Sequence, residues 1–262
     1  DVLVYYVRIT LVSHHHVHAS HGVMVFLSFN SAVTSPDDVA DVHGDEDEAG
    51  VPDDLPLKFT WVVWQQRASS SKNSTGTSSS HYEDSTKQIA SMSSVEEFWQ
   101  TWDCLPQPSD LLTRRMAEKT SEGSEDCHFV DALMIFREGV LPQWEDAANA
   151  EGGHFQFHFK TSVGAAQLDE YWNNVVLGAL GNTLEPSDMI TGLRLVDKIT
   201  GPKGGVPSTI RIEVWFGSAQ DAQAVAALQR NIESCLATRT LEGRLGHVPK
   251  AELKNHKLTR HQ

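Results

Sequence analysis

Gly153-His154-Phe155-Gln156-Phe157-His158-Phe159-Lys160 alternates phenylalanine with polar side chains. In an extended chain successive side chains point to opposite faces. Phe155, Phe157 and Phe159 therefore share one face, and His154, Gln156, His158 and Lys160 the other. One face in a core and one in water is the signature of an antiparallel sheet covered on a single side. Working outward, residues 58–65 (KFTWVVWQ), 129–136, 190–199 and 209–216 are rich in β-branched and aromatic side chains and read as further strands. The Gly/Pro-rich stretch 201–207 turns between the last two. Residues 94–104 (SVEEFWQTWDC) read as a helix, with Ser94 as cap, Glu97 three residues on as in a capping box, and Pro106 as the stop. Residues 167–180 place Leu168, Tyr171, Trp172, Val175 and Val176 at helical spacing, and residues 218–236 form a third helix with Ser218 as its cap. Strands interspersed with three helices predict an α+β domain, its helices packed on one face of a curved sheet.

The chain of 262 residues is long enough for one sizeable core, or one domain with tails. Its net charge of −14 is concentrated at one end: residues 1–54 hold ten acids against one base, Arg8, and the remainder carries only −5. Residues 37–54 (DDVADVHGDEDEAGVPDD) read as a disordered acidic linker, so folding should begin near Leu55. Residues 68–80 read as a flexible polar loop and residues 108–126 as a mobile insertion. An acidic chain is a poor general binder of phosphate backbones, so any RNA contact should be small and specific, one nucleotide rather than a long tract. Cys104, Cys127 and Cys235 are odd in number and irregularly spaced, which suits a reducing compartment rather than a disulfide framework. The first 30 residues contain neither a membrane-length apolar run nor a basic leader followed by one. His14, His15, His16 and His18 could bind a metal, but no spacing elsewhere completes a site, and no metal or cofactor is expected. G-x-S-x-G, H-E-x-x-H and P-loop patterns are all absent, so an enzyme is not expected.

Seven tryptophans are spread along the chain, and most suit a core. Trp144 differs. It follows Leu141-Pro142-Gln143, beyond a strand, and a carboxylate, Glu145, comes next. Loops carry binding residues on rigid scaffolds, and a loop ring beside a carboxylate suits a flat, protonated ligand.

Trp144-Glu145-Asp146 after a proline, followed by Gly152-Gly153 and an aromatic strand, resembles the cap-binding loop of the eukaryotic translation initiation factor 4E family. Val95-Glu96-Glu97-Phe98-Trp99 is similar to the family's V-E-x-F-W helix, and Asp169-Glu170-Tyr171-Trp172 to the start of its second helix. Trp61-x-x-Trp64 is similar to its first strand and Ile212-Glu213-Val214-Trp215 to a late one. Each match alone is weak; the ordered set, over roughly residues 55–236, is specific. The resemblance implies a curved antiparallel sheet of about eight strands, backed on its convex face by three long helices. It implies a cap-binding domain over 55–238, between a disordered extension (1–54) and a C-terminal tail (239–262). Long segments at 68–81, 103–127 and 199–208, with the extension, are similar to divergent protozoan paralogues, which points to a kinetoplastid source.

The implied ligand is the 7-methylguanosine cap of messenger RNA. Methylation at N7 leaves a delocalised positive charge on the base. Two aromatic faces gain about 1–3 kcal/mol by stacking on a base and about 2 kcal/mol from a desolvated cation–π contact. A carboxylate that accepts from N1–H and N2–H selects guanine. The resemblance assigns Trp144 and Tyr82 as the two rings, Tyr82 standing where most relatives carry tryptophan. It assigns Glu145 as the guanine-reading acid, Trp215 as methyl contact or support, and Lys198 and Arg211 as phosphate-binding bases, with Lys203 a further base in the lengthened turn. On the helical face it assigns Pro56, Val95, Trp99, Asn173 and Leu177 to a factor 4G-like scaffold subunit, or an inhibitory mimic, bound as a Y-x-x-x-x-L-Φ helix. Asn173 replaces a leucine, which predicts an atypical partner. The implied protein is a cytoplasmic, partly nuclear, monomeric initiation factor. The alternative is a weak-cap or non-cap interaction protein of the same fold that regulates or represses translation.

Overall fold

The computed structural model describes residues 55–68, 85–119, 127–199, 209–237 and 249–257. Tyr82, Lys203, the turn at 201–207, the histidine cluster at 14–18 and the acidic extension lie outside them, as does the loop at 69–80.

Among the described residues eight strands form an antiparallel sheet: β1 (Pro56–Arg67), β2 (Thr86–Ser94), β3 (Ala117–Lys119), β4 (Cys127–Arg137), β5 (Gly153–Lys160), β6 (Ile190–Asp197), β7 (Thr209–Phe216) and β8 (Glu252–Asn255). Their spatial order is β2-β1-β4-β6-β7-β5-β8, and the short β3 pairs with β4. Among the described residues three helices accompany the sheet, α1 (Val95–Trp102), α2 (Ala165–Leu180) and α3 (Ala222–Leu236). The fold class is therefore the expected one, except that α1 spans only 8 residues and is not long. The described residues from Pro56 onward group as one compact unit.

Register assigns the two faces. Trp61 and Val63 of β1, Leu133 and Ile135 of β4, Phe155, Phe157 and Phe159 of β5, and Ile212 and Val214 of β7 join Phe98, Leu168, Trp172, Val176, Leu228 and Ile232 of the helices in one buried core. Fully burying a side chain of this size stabilises by about 1.5–3 kcal/mol, so the phenylalanines of β5 anchor the helical layer. The opposite face carries Trp64 of β1, Met134 and Phe136 of β4, Arg194 of β6, Glu213 and Trp215 of β7, and His154 and Gln156 of β5.

Several local expectations change. β2 is a strand that the sequence reading omits; its composition (TKQIASMSS) is polar, and only Met92 and Ser94 are buried. Ser94 Oγ does accept from Glu97 N–H (3.2 Å), but Glu97 reaches back to the N–H and hydroxyl of Ser93 (2.6 and 2.8 Å), one residue earlier than a capping box. α1 ends at Trp102, before Pro106 can act. α3 begins at Ala222 under Asp221, which accepts from Gln223 and Ala224 N–H (2.9 and 3.0 Å), so Ser218 is not its cap. The stretch expected as a mobile insertion contains a 3-10 turn (Asp110–Leu112) and β3, tied down by buried Leu111 and Met116. His154 and Gln156, expected in water, are buried. Residues 252–255, expected in a tail, pair with β5 as the outermost strand.

Candidate functional site

Trp144 stands on the connection between β4 and β5, and that connection is bonded to itself. Asp146 accepts from Leu141 N–H (3.0 Å) and Ala148 N–H (2.8 Å). The fully buried Asn149 donates to the carbonyls of Leu141 (2.9 Å) and Gln143 (3.0 Å). These bonds satisfy backbone groups that a turn would leave open and fix the turn's shape. Trp144 nevertheless remains 40 % exposed, and Glu145 beside it is also exposed. The loop thus holds a partly exposed indole in a fixed position.

Beneath the loop, Trp215 is 1 % exposed. Phe136 stands edge-on to it at 5.3 Å, His154 stacks on it at 5.2 Å and 15°, and His256 lies 4.6 Å away. Gly192 makes room for this group: a Cβ there would come within 2.3 Å of the Phe136 ring. Trp215 is therefore packed into the sheet face beneath the loop, among Phe136, His154 and His256.

A polar ladder crosses the same face. Glu213, 1 % exposed, receives Arg194 (3.1 Å), Arg211 (2.7 Å) and the Trp215 indole N–H (2.9 Å). Arg194 continues to Gln66 (2.7 Å). Burial alone would raise the Glu213 carboxyl, but Arg194 and Arg211, helped by the indole N–H, outweigh it and hold the group down at about 2. Arg211 is thus ion-paired within the protein, with 22 % of its side chain exposed. Lys198 lies one residue past β6, exposed, its backbone N–H bonded to Thr209 (3.1 Å). Burial lowers His154 to about 4, and it lowers His256 as well. Both imidazoles are therefore neutral near pH 7. His256 Nδ1 lies 2.7 Å from the Asn149 carbonyl, which only accepts, so Nδ1 carries the proton. Its Nε2 then accepts from His154 Nδ1 at 3.1 Å.

Trp144, Glu145, Trp215, Arg211 and Lys198 thus lie on, or on the loop above, the face away from the helices. Val95, Trp99, Asn173 and Leu177 lie on α1 and α2, and Pro56, exposed, pairs with Ser94 at the head of α1. Val95 is buried and serves the core, whereas Trp99, Asn173 and Leu177 are part-exposed. No site role is expected from the sequence for Glu213, Arg194, Asn149 or His256. A usable signal existed for the first: an acid at the centre of Ile210-Arg211-Ile212-Glu213-Val214 must find a cation on its own face.

The family described as eukaryotic initiation factor 4E matches residues 56–259. The initiation factor NCBP of Triticum aestivum is 31 % identical over 201 residues, covering 77 % of this chain and 69 % of that one. The NCBP of Arabidopsis thaliana is 28 % identical over 209 residues, covering 78 % and 74 %. Among solved structures, Ascaris suum eIF4E-3 with an m2,2,7G cap superposes with a TM-score of 0.52 at 22 % identity, over 70 % of this chain and 84 % of that one. C. elegans eIF4E-3 with the 4E-binding protein Mextli and a cap analogue gives 0.55 at 20 %, over 79 % and 95 %. None of these relatives bears on the expected kinetoplastid source.

Proposed function

Because the chain belongs to the eukaryotic initiation factor 4E family, whose members are translation factors and not enzymes, we propose that it binds the 7-methylguanosine cap of messenger RNA and recruits a scaffold subunit for initiation. The observation that carries the reading is the half-exposed Trp144 on a loop closed by Asp146 and Asn149, with Glu145 beside it. A cationic purine laid on that indole gains stacking and cation–π attraction without first ordering the loop. Glu145 then accepts from the guanine edge, Tyr82 supplies the second face, and Lys198, Arg211 and Lys203 meet the phosphates. Arg211 keeps Glu213 as its counter-ion and contributes less to the phosphates than the exposed Lys198. No described helix is long and apolar enough to cross a membrane, and we place the protein in the cytoplasm by its role. Retention on immobilised methylated cap, with release by free cap analogue, tests the reading; passage straight through the resin contradicts it and leaves the repressor alternative.

The partner face is the exposed side of α1 and α2, where Trp99 and Leu177 stay part-exposed while packing inward against the core. Asn173 on the same helix puts an amide among groups that an apolar partner helix would cover. An unpaired buried amide costs about 1–3 kcal/mol. A consensus Y-x-x-x-x-L-Φ peptide is therefore expected to bind about tenfold or more below the Asn173→Leu variant. Equal binding in a pull-down would remove Asn173 as a determinant of partner choice.

A further inference from the structure

The last described residues of the chain return to the site. β8 pairs with β5 through Gly153–Asn255 and His154–Lys254, so closely that a Cβ on Gly153 would come within 2.4 Å of the Lys254 carbonyl. The pairing delivers His256, 4 % exposed, into the space between Trp144, Trp215 and His154. Its imidazole lies nearly parallel to the Trp144 indole, at 6.1 Å and 21°. Three bonds hold it: backbone N–H to Gly152 (3.1 Å), Nδ1–H to Asn149 (2.7 Å), and Nε2 accepting from His154 (3.1 Å). Lys257 also pairs with Glu151, at the end of the same loop.

We propose that His256 is a positioning residue for cap recognition: its ring backs one face of Trp144 and keeps the other turned outward to receive the base. The inference rests on the cap-binding reading above and adds the C-terminal segment to that site. A competing role is an internal plug, with the imidazole occupying the place of the base. Three observations oppose it. His256 is bonded to Asn149, the residue that closes the Trp144 loop, so it moves with the loop. Leaving would strip buried partners from Asn149 and His154. With His256 in place, Trp144 is still 40 % exposed. The backing ring works by population. If its loss leaves Trp144 outward-facing only a tenth of the time, apparent affinity falls about tenfold with no direct ligand contact removed.

The test compares the full chain with His256→Phe, which keeps a ring, and His256→Gln, which keeps hydrogen-bonding groups but no ring. Both are titrated with 7-methylguanosine triphosphate. The Phe variant is expected within about threefold of wild type and the Gln variant about tenfold weaker. Gln binding as well as wild type, or Phe falling as far as Gln, overturns the inference while the cap reading stands. Tighter binding in either variant also overturns it, in favour of the plug. A second arm needs no cap. Acrylamide quenching assigned to Trp144, by difference from Trp144→Phe, should fall in the Gln variant and not in the Phe variant. Equal quenching overturns the inference even if wild type binds no cap, a result that would itself sink the cap reading.

Discussion

Glu213→Ala is expected to cost the fold about 3–5 kcal/mol, the range for removing one partner of a buried ion pair. The carboxylate is 1 % exposed, accepts from Arg194 and the Trp215 indole, and ion-pairs with Arg211. Its loss leaves a guanidinium that is 11 % exposed beside an unpaired indole N–H. Glu213→Gln should cost less, because the amide oxygen still accepts. The same ladder gives a pH signature. Folding lowers the Glu213 pKa from its ordinary 4.5 to about 2, so its contribution is full above 4.5 and is lost as pH falls toward 2. His154 acts in an adjoining window: it takes up its proton near 6.5 in the unfolded chain but only near 4 in the fold, so acidification from 6.5 to 4 also favours unfolding. Denaturant melts across pH should show a wild-type acid limb that continues below pH 4.5, and the Gln variant should be shallower in that lower part. Identical limbs would mean that the buried carboxylate is not ionised as described.

Trp144→Ala should weaken binding of a methylated cap analogue about a hundredfold or more. Stacking at about 1–3 kcal/mol and a cation–π contact at about 2 kcal/mol are lost together, and each 1.4 kcal/mol is a factor of ten. The fold should survive, because Trp144 is exposed and Asp146 and Asn149 close the loop without it. Tryptophan fluorescence of wild type should quench on titration and that of the variant should not. Quenching unchanged by the substitution would move the stacking ring elsewhere.

What the sequence makes legible follows from where the side chains carry information. The phenylalanines of β5 must be buried, so their spacing announces strand and face together, while the apolar run Trp61-Val62-Val63 of β1, buried on both faces, announces a strand alone. The Trp144 loop is readable because a proline, an aromatic and two acids in succession suit a turn better than a core. β2 hides because it lies at the sheet margin, bonded by its backbone and burying little. β8 hides for the same reason: Glu252, Leu253 and Lys254 are exposed, and pairing with β5, not burial, makes them a strand. His256 follows from β8. Its role depends on a register between residues 102 apart, which no local pattern encodes. The burial of His154 and Gln156 is likewise tertiary. Alternation correctly assigns them to the face away from the helices, but that face carries its own cluster of Met134, Phe136 and Trp215.

The central claim is that the site reads methylation as positive charge on a stacked base. Calorimetric titration of the full chain with 7-methylguanosine triphosphate and with unmethylated guanosine triphosphate tests it most directly. The account predicts that the methylated nucleotide binds about thirtyfold tighter, the worth of a desolvated cation–π contact of about 2 kcal/mol. Equal affinity for the two nucleotides would contradict it.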